Sequence, residues 1–228
     1  MSLLKISHRG LWNKELPENS IGAFKRSIKK NIPIELDVHM LKDDTLVVFH
    51  DDNLKRMTGI DKKVKECTYD EIKHLNLLDT KEKIPTLKEV LDLVNGKVLL
   101  DIELKTDVKS KKICKILSEE LDEYKGEFLV KSFSPIFINW FKKNRPDFKR
   151  GLLISNANKG NMRRLKNFAL SRFCINHFCK PYFIAINKKL GDDKRVKRIS
   201  NKGVKILAWT IRDDLDYDFD GVIFEEKK

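Results

Sequence analysis

Three observations predict an α/β chain of the TIM (β/α)8 barrel class. Short apolar, β-branched runs alternate with longer amphipathic stretches, one pair of runs is too close for a crossover helix, and acidic, basic and imidazole side chains gather at strand C-terminal ends. The 228 residues form one predicted domain, 1–228, since barrels of this kind commonly run about 200–250 residues.

Nine strands are predicted, at 4–8, 33–41, 46–50, 97–104, 127–133, 150–155, 173–178, 204–210 and 221–224. Between them, 19–30, 86–94 and 109–124 place apolar residues at three- and four-residue spacing, and the first opens on Asn19-Ser20, residues suited to an N-cap. Leu41 and Leu46 are separated only by Lys42, Asp43, Asp44 and Thr45, too few for a right-handed crossover between parallel strands. The run 46–50 is therefore an extra hairpin arm after the second strand, which leaves eight strands for a parallel barrel. A turn centred on Asp43-Asp44 sets Asp37 opposite His50.

Composition narrows the function classes. The net charge of +13 attracts anions, whether nucleic acid, an acidic membrane or a phosphorylated small molecule, and does not choose among them. The Lys/Arg-rich stretches 142–150 and 188–202 hold few aromatics and read as solvated helix faces, so nucleic acid is a disfavoured partner and peripheral contact with an acidic membrane stays open. No stretch has the length of a membrane span and the N-terminus lacks a signal-peptide pattern, so a cytoplasmic location is expected. Cys67, Cys114, Cys174 and Cys179 are scattered; His177 between the last two is a weak metal hint, outweighed by ordinary buried thiols.

The chemistry concentrates in four places: His8-Arg9-Gly10 after the first strand, Glu35 and Asp37 on the second, His50-Asp51 at the end of the hairpin arm, and Glu103 with Lys105 on the next strand. Strand side chains alternate faces, so Glu35 and Asp37 point together, as do Glu103 and Lys105. A single buried ion pair explains any one of these residues. Carboxylates converging inside a barrel need a cation, and oxygen donors suit Mg²⁺ or Ca²⁺, with Mn²⁺ admissible beside the histidines. His8 and His50 are the candidate acid/base pair, and Arg9 and Lys105 the candidate anion clamps.

These residues sit within "HRG" at His8, "PENS" at Pro17, "IELDVH" at Ile34, "VVFHDDNLKRMTG" at Val47, "IPTLKEVL" at Ile84, "LDIELK" at Leu100, "SF" at Ser132 and "AWTI" at Ala208. In that order and company the chain resembles the glycerophosphodiester phosphodiesterases, closely in its first half and only by strand-helix rhythm from 133 to 204. The resemblance implies hydrolysis of a glycerophosphodiester to glycerol 3-phosphate and an alcohol with one divalent ion. It implies Glu35, Asp37 and Glu103 as metal ligands, His8 and His50 as the acid/base pair, and Arg9 and Lys105 as phosphate ligands. Glu18 of "PENS" is either a contact to the metal or its water, or an acidic residue at the start of the first helix.

Two departures shape the expectation. The chain ends "GVIFEEKK", which predicts a truncated C-terminus whose closing helix is absent or supplied elsewhere, and the segment from His50 to Glu103 is short, which predicts a small, open mouth. A lipid-directed lysophospholipase D would share every site residue and add an apolar rim, for which Leu11, Trp12 and Leu16 are candidates. A basic polyanion-binding protein without catalysis is the reading from a different class, and it leaves the carboxylates unexplained.

Overall fold

The computed structural model describes residues 3–106, 110–156, 160–172, 174–212 and 219–226. Lys109 and Phe173, the first residues of one predicted helix and one predicted strand, lie outside them. The chain packs as two compact units, Ser7–Phe128 and Met1–Ile6 with Leu129–Lys227. Among the described residues no helix is long and apolar enough to cross a membrane.

In the Ser7–Phe128 unit, the end of β1 (Leu4–Ser7) runs parallel to β2 (Ile34–Met40), with Ser7 opposite Ile34. Every residue of β2 is buried, as expected of a strand flanked on both edges. On its other edge β4 (Leu100–Leu104) pairs in parallel, which puts Glu35 beside Asp101 and Asp37 beside Glu103. The hairpin arm β3 (Leu46–Val48) returns antiparallel, with Val38 opposite Val48, as the four-residue spacing requires.

The helices of this unit start where their cap residues dictate. Helix α1 (Ile21–Lys29) begins after Ser20, whose hydroxyl accepts from the Ala23 N–H. After β3 come two single turns, α2 (Lys55–Thr58) and α3 (Tyr69–Ile72). Helix α4 (Leu87–Val94) opens with a full capping box between Thr86 and Glu89 and ends on Asn95 in the left-handed region. Helix α5 (Lys112–Asp122) follows β4 and buries Ile113, Cys114, Leu117 and Leu121. The short segment between β3 and α4 has its own apolar core of Leu54, Met57, Val64, Cys67, Ile72 and Leu77, set against Val47 and Phe49 of the hairpin arm. That core fixes the turns that follow His50.

In the other unit β5 (Phe128–Ser132), β6 (Arg150–Ile154), β7 (Phe183–Asn187), β8 (Lys205–Ile211) and β9 (Gly221–Phe224) run parallel in that order, and β1 lies beside β9. Helices α6 (Pro135–Asn144), α7 (Gly160–Ala169) and α8 (Lys194–Ser200) alternate with them over a core of Ile138, Leu152, Ile154, Ile184, Ile186 and Ile206. Gly151 faces Phe183, and a Cβ at that position would come within 2.1 Å of the ring, so any larger residue in β6 would have to displace that buried side chain.

Two expectations are corrected. The strand expected at 173–178 is a helical turn over Cys174–Phe178, opened by the Ser171 hydroxyl accepting from the Cys174 N–H, and the strand is β7, whose Phe-Ile-Ala-Ile run is wholly buried. A short apolar run does not distinguish a strand from a buried helical turn. The thiols of Cys174 and Cys179 are buried 3.4 Å apart, whereas His177 is exposed. The second correction is one of register. The hairpin sets the Asp37 carbonyl against the Phe49 N–H at 2.9 Å, so His50 lies one residue beyond the position expected for it.

Candidate active site

Every predicted site residue belongs to the Ser7–Phe128 unit. The β2–β4 register explains the centre of the site: Asp37 and Glu103 are neighbours across two parallel strands, and Glu35 stands two residues back on the same face. The three carboxylates are 2%, 1% and 6% exposed for Glu35, Asp37 and Glu103, and each offers an oxygen within 4.8 Å of the others.

Two cations neutralise this cluster. The Lys105 ammonium lies 2.6 Å from Asp37 Oδ1 and 2.7 Å from Glu103 Oε1. Arg9 places Nε 3.3 Å from Asp37 Oδ2 and donates its backbone N–H to Glu35 Oε2 at 3.0 Å. Burial acts against the charge of Asp37, but Lys105, Arg9 and His50 outweigh it and hold its pKa well below the usual carboxylate range. Burial likewise opposes the Lys105 ammonium, and Asp37 and Glu103 raise its pKa above the ordinary value. Asp37 and Lys105 therefore both carry their charges near neutral pH.

The "HRG" turn owes its shape to its backbone. Arg9 adopts φ 58° and Gly10 φ +79°, and a Cβ on Gly10 would sit 2.9 Å from Phe24 Cδ1. Gly10 lets the chain turn tightly over α1 while the Arg9 N–H points at Glu35.

Sequence reasoning missed Asn19, which is 2% exposed. Its amide donates to Asp37 Oδ2 at 2.8 Å and its carbonyl accepts from the Asp37 N–H at 3.4 Å. Asn19 takes φ 58°, a left-handed conformation that asparagine is among the few residues to adopt readily, so the residue type before Ser20 was the one available signal. Glu18 sits outside α1 and is held by two guanidiniums: Arg9 Nη1 donates to Oε1 at 2.6 Å, and Arg56 donates to Oε1 at 2.7 Å and Oε2 at 3.1 Å. Leu11, expected on an apolar rim, is buried, and its N–H donates to the Ser27 hydroxyl.

The His50 side chain is about one-third exposed, and its Nδ1 lies 2.7 Å from Asp51 Oδ1. Its carbonyl accepts from Nε2 of the buried His39 at 3.2 Å. Asp51 is gripped in turn by Arg56, through Nε to Oδ2 at 2.6 Å and Nη2 to Oδ1 at 3.0 Å. Burial raises the Asp51 pKa, but Arg56 and His50 bring it down to about 2.

The donor set fits a hard divalent ion. Mg²⁺ and Ca²⁺ take oxygen ligands at about 2.0–2.6 Å, which places ligand atoms roughly 3–5 Å from one another. Glu35, Asp37 and Glu103 provide oxygens at that spacing and no sulfur or imidazole among themselves. The arrangement can bind a cation inside and present Arg9, Lys105 and an imidazole to an anion outside.

A family model described as the glycerophosphoryl diester phosphodiesterase family matches residues 8–226. The chain is 31% identical over 224 residues to a glycerophosphodiester phosphodiesterase of Caldanaerobacter subterraneus subsp. tengcongensis, covering 92% of this chain and 86% of that one. Among solved structures it is similar to an Oleispira antarctica phosphodiesterase in complex with the product sn-glycerol-3-phosphate. That match has a TM-score of 0.82 and 25% identity, and covers 96% of this chain and 92% of that one. A glycerophosphodiester phosphodiesterase of Thermotoga maritima matches with a TM-score of 0.78 and 28% identity over 98% and 95% of the two chains. The fold class is the TIM (β/α)8 barrel, with β3 as the strand outside the eight.

Proposed function

The chain belongs to the glycerophosphoryl diester phosphodiesterase family, and on that premise we propose that it hydrolyses glycerophosphodiesters to glycerol 3-phosphate and an alcohol with one divalent ion. The observation that carries this reading is the buried triad of Glu35, Asp37 and Glu103, with oxygens within 4.8 Å, bracketed by Arg9 and Lys105. Those three residues hold the ion, Mg²⁺ or Ca²⁺ with Mn²⁺ admissible. When bound, it supplies Lewis-acid neutralisation of charge at the phosphoryl group.

The rest of the chemistry belongs to the chain. Arg9 and Lys105 bind the phosphoryl oxygens and stabilise the negative charge that grows in the transition state. His50, with Nδ1 turned to Asp51, presents Nε2 as one proton-transfer atom, and His8 supplies the other. One imidazole takes the proton of the attacking nucleophile and the other protonates the departing alkoxide, with one water consumed overall. Asn19 keeps Asp37 in place during the exchange.

The test is turnover of a panel of glycerophospho-alcohols by purified protein, exhaustively chelated and then reloaded with Mg²⁺, Ca²⁺ or Mn²⁺. Release of glycerol 3-phosphate that disappears on chelation and returns with metal supports the reading. Undiminished turnover by metal-free protein rejects the metal role, and no turnover of any ester rejects the activity.

A further inference from the structure

Arg56 is half exposed, and its guanidinium joins two separate arms of the site. On one side it holds Asp51 by two hydrogen bonds, and Asp51 holds His50 Nδ1. On the other it holds both oxygens of Glu18, whose Oε1 also accepts from Arg9 Nη1. The planar fork of arginine can serve both carboxylates at once, which a lysine ammonium cannot do with the same geometry.

Resting on the proposed function, we infer that Arg56 is a positioning residue for both the proton-transfer group and the phosphate clamp, acting on His50 through Asp51 and on Arg9 through Glu18. An ionised Asp51 only accepts hydrogen bonds, so the contact at 2.7 Å puts the proton of neutral His50 on Nδ1 and leaves Nε2 with a lone pair toward the substrate. Arg56 occupies both Asp51 oxygens and so prevents the carboxylate from rotating away from the ring. The turn α2 that carries Arg56 is anchored by buried Leu54 and Met57, on either side of Arg56 in the sequence. Rotation of the side chains, more than movement of the backbone, is therefore the freedom that Arg56 removes.

The experiment compares wild type, Arg56→Lys and Asp51→Asn in three measurements: the ¹⁵N signals of the His50 imidazole, the affinity for Mg²⁺ and Ca²⁺ by calorimetry, and kcat and KM for the ester that wild type turns over best. Arg56→Lys is expected to keep metal affinity within about threefold and to lower kcat on the order of 10- to 100-fold, the usual loss when an outer partner of a reacting group is removed. The ¹⁵N pattern is expected to move from a single Nδ1–H form toward a mixture of tautomers in both variants. An unchanged ¹⁵N pattern in both variants overturns the inference, as does wild-type kcat in Arg56→Lys. If Arg56→Lys fails to fold, Arg56→Gln takes its place in the same three measurements. The ¹⁵N reading needs no turnover, so wild type that hydrolyses no ester overturns the proposed activity while the positioning of His50 is still decided.

Discussion

Asp37 and Glu103 face each other across the parallel β2–β4 ladder, and the Lys105 ammonium binds both, 2.6 Å from the first and 2.7 Å from the second. Without Lys105 and Arg9, the buried carboxylates would repel one another and shed charge by taking up protons. Replacing Glu103 by glutamine keeps its shape and removes one anionic donor. The expected outcome is a weaker metal site whose lost turnover returns in part as Mg²⁺ or Ca²⁺ is raised. Titrating metal against both bound ion and product release checks this.

His50 lies outside the carboxylate triad, so His50→Ala is expected to bind metal as wild type does. Its turnover should fall by a factor on the order of 10² to 10⁴, the usual contribution of a positioned acid or base. Added metal should recover none of that loss. A variant that loses the ion as fully as Glu103→Gln would make His50 a ligand, and wild-type turnover would make it structural.

Gly10 combines a φ of +79° with a Cβ position 2.9 Å from Phe24 Cδ1 and 3.1 Å from Ala23. Alanine there is disfavoured twice, by its own backbone and by the packing of α1. Gly10→Ala is expected to cost more than about 1 kcal/mol of stability and to lower turnover by displacing Arg9 from Glu35. Urea unfolding measures the first effect and the kcat of the folded fraction the second.

Glu120 on α5 has a buried Oε2 without a hydrogen-bond partner, and burial pushes its pKa up to about 7 against a modest opposing pull from Lys88. A carboxyl whose folded pKa lies above its unfolded value stabilises the protein at low pH and loses that contribution as pH rises through the folded value. Stability is therefore expected to decline between about pH 4.5 and 7 through this group. Glu120→Gln should leave Tm unchanged at pH 5 and raise it by about 1–3 °C at pH 8, a figure kept small because the residue is partly open to solvent. Thermal melts at the two pH values decide it.

Much of the fold was legible because it follows from local rules. Alternating apolar runs, Ser20 as a cap, and the four residues between Leu41 and Leu46 specify strands, a helix start and a hairpin through contacts only a few residues long. The same period-2 geometry put Glu35 and Asp37 on one face of a strand. Cys174–Phe178 reads as a strand and Phe183–Asn187 does not stand out, because two short apolar runs lie close together and both enter the same buried core, so only the backbone pairing of Phe183–Asn187 with β6 and β8 settles which one joins the sheet.

The sequence by itself determined the chemistry and the order of the parts: which residue types end each strand, that three carboxylates converge, and that a histidine returns on a hairpin arm. Only the tertiary structure decided how those groups meet. Asp37 lies opposite Phe49, one residue short of His50, because hydrogen-bond register depends on the pairing of the whole hairpin. Asn19 reaches Asp37 across 18 residues of sequence, and Arg56 reaches Glu18 across 38, distances over which no local pattern carries information. Strand ends and side-chain faces are set by neighbours along the chain, whereas the partners of a buried charge are set by whichever groups the packed elements bring within hydrogen-bond range.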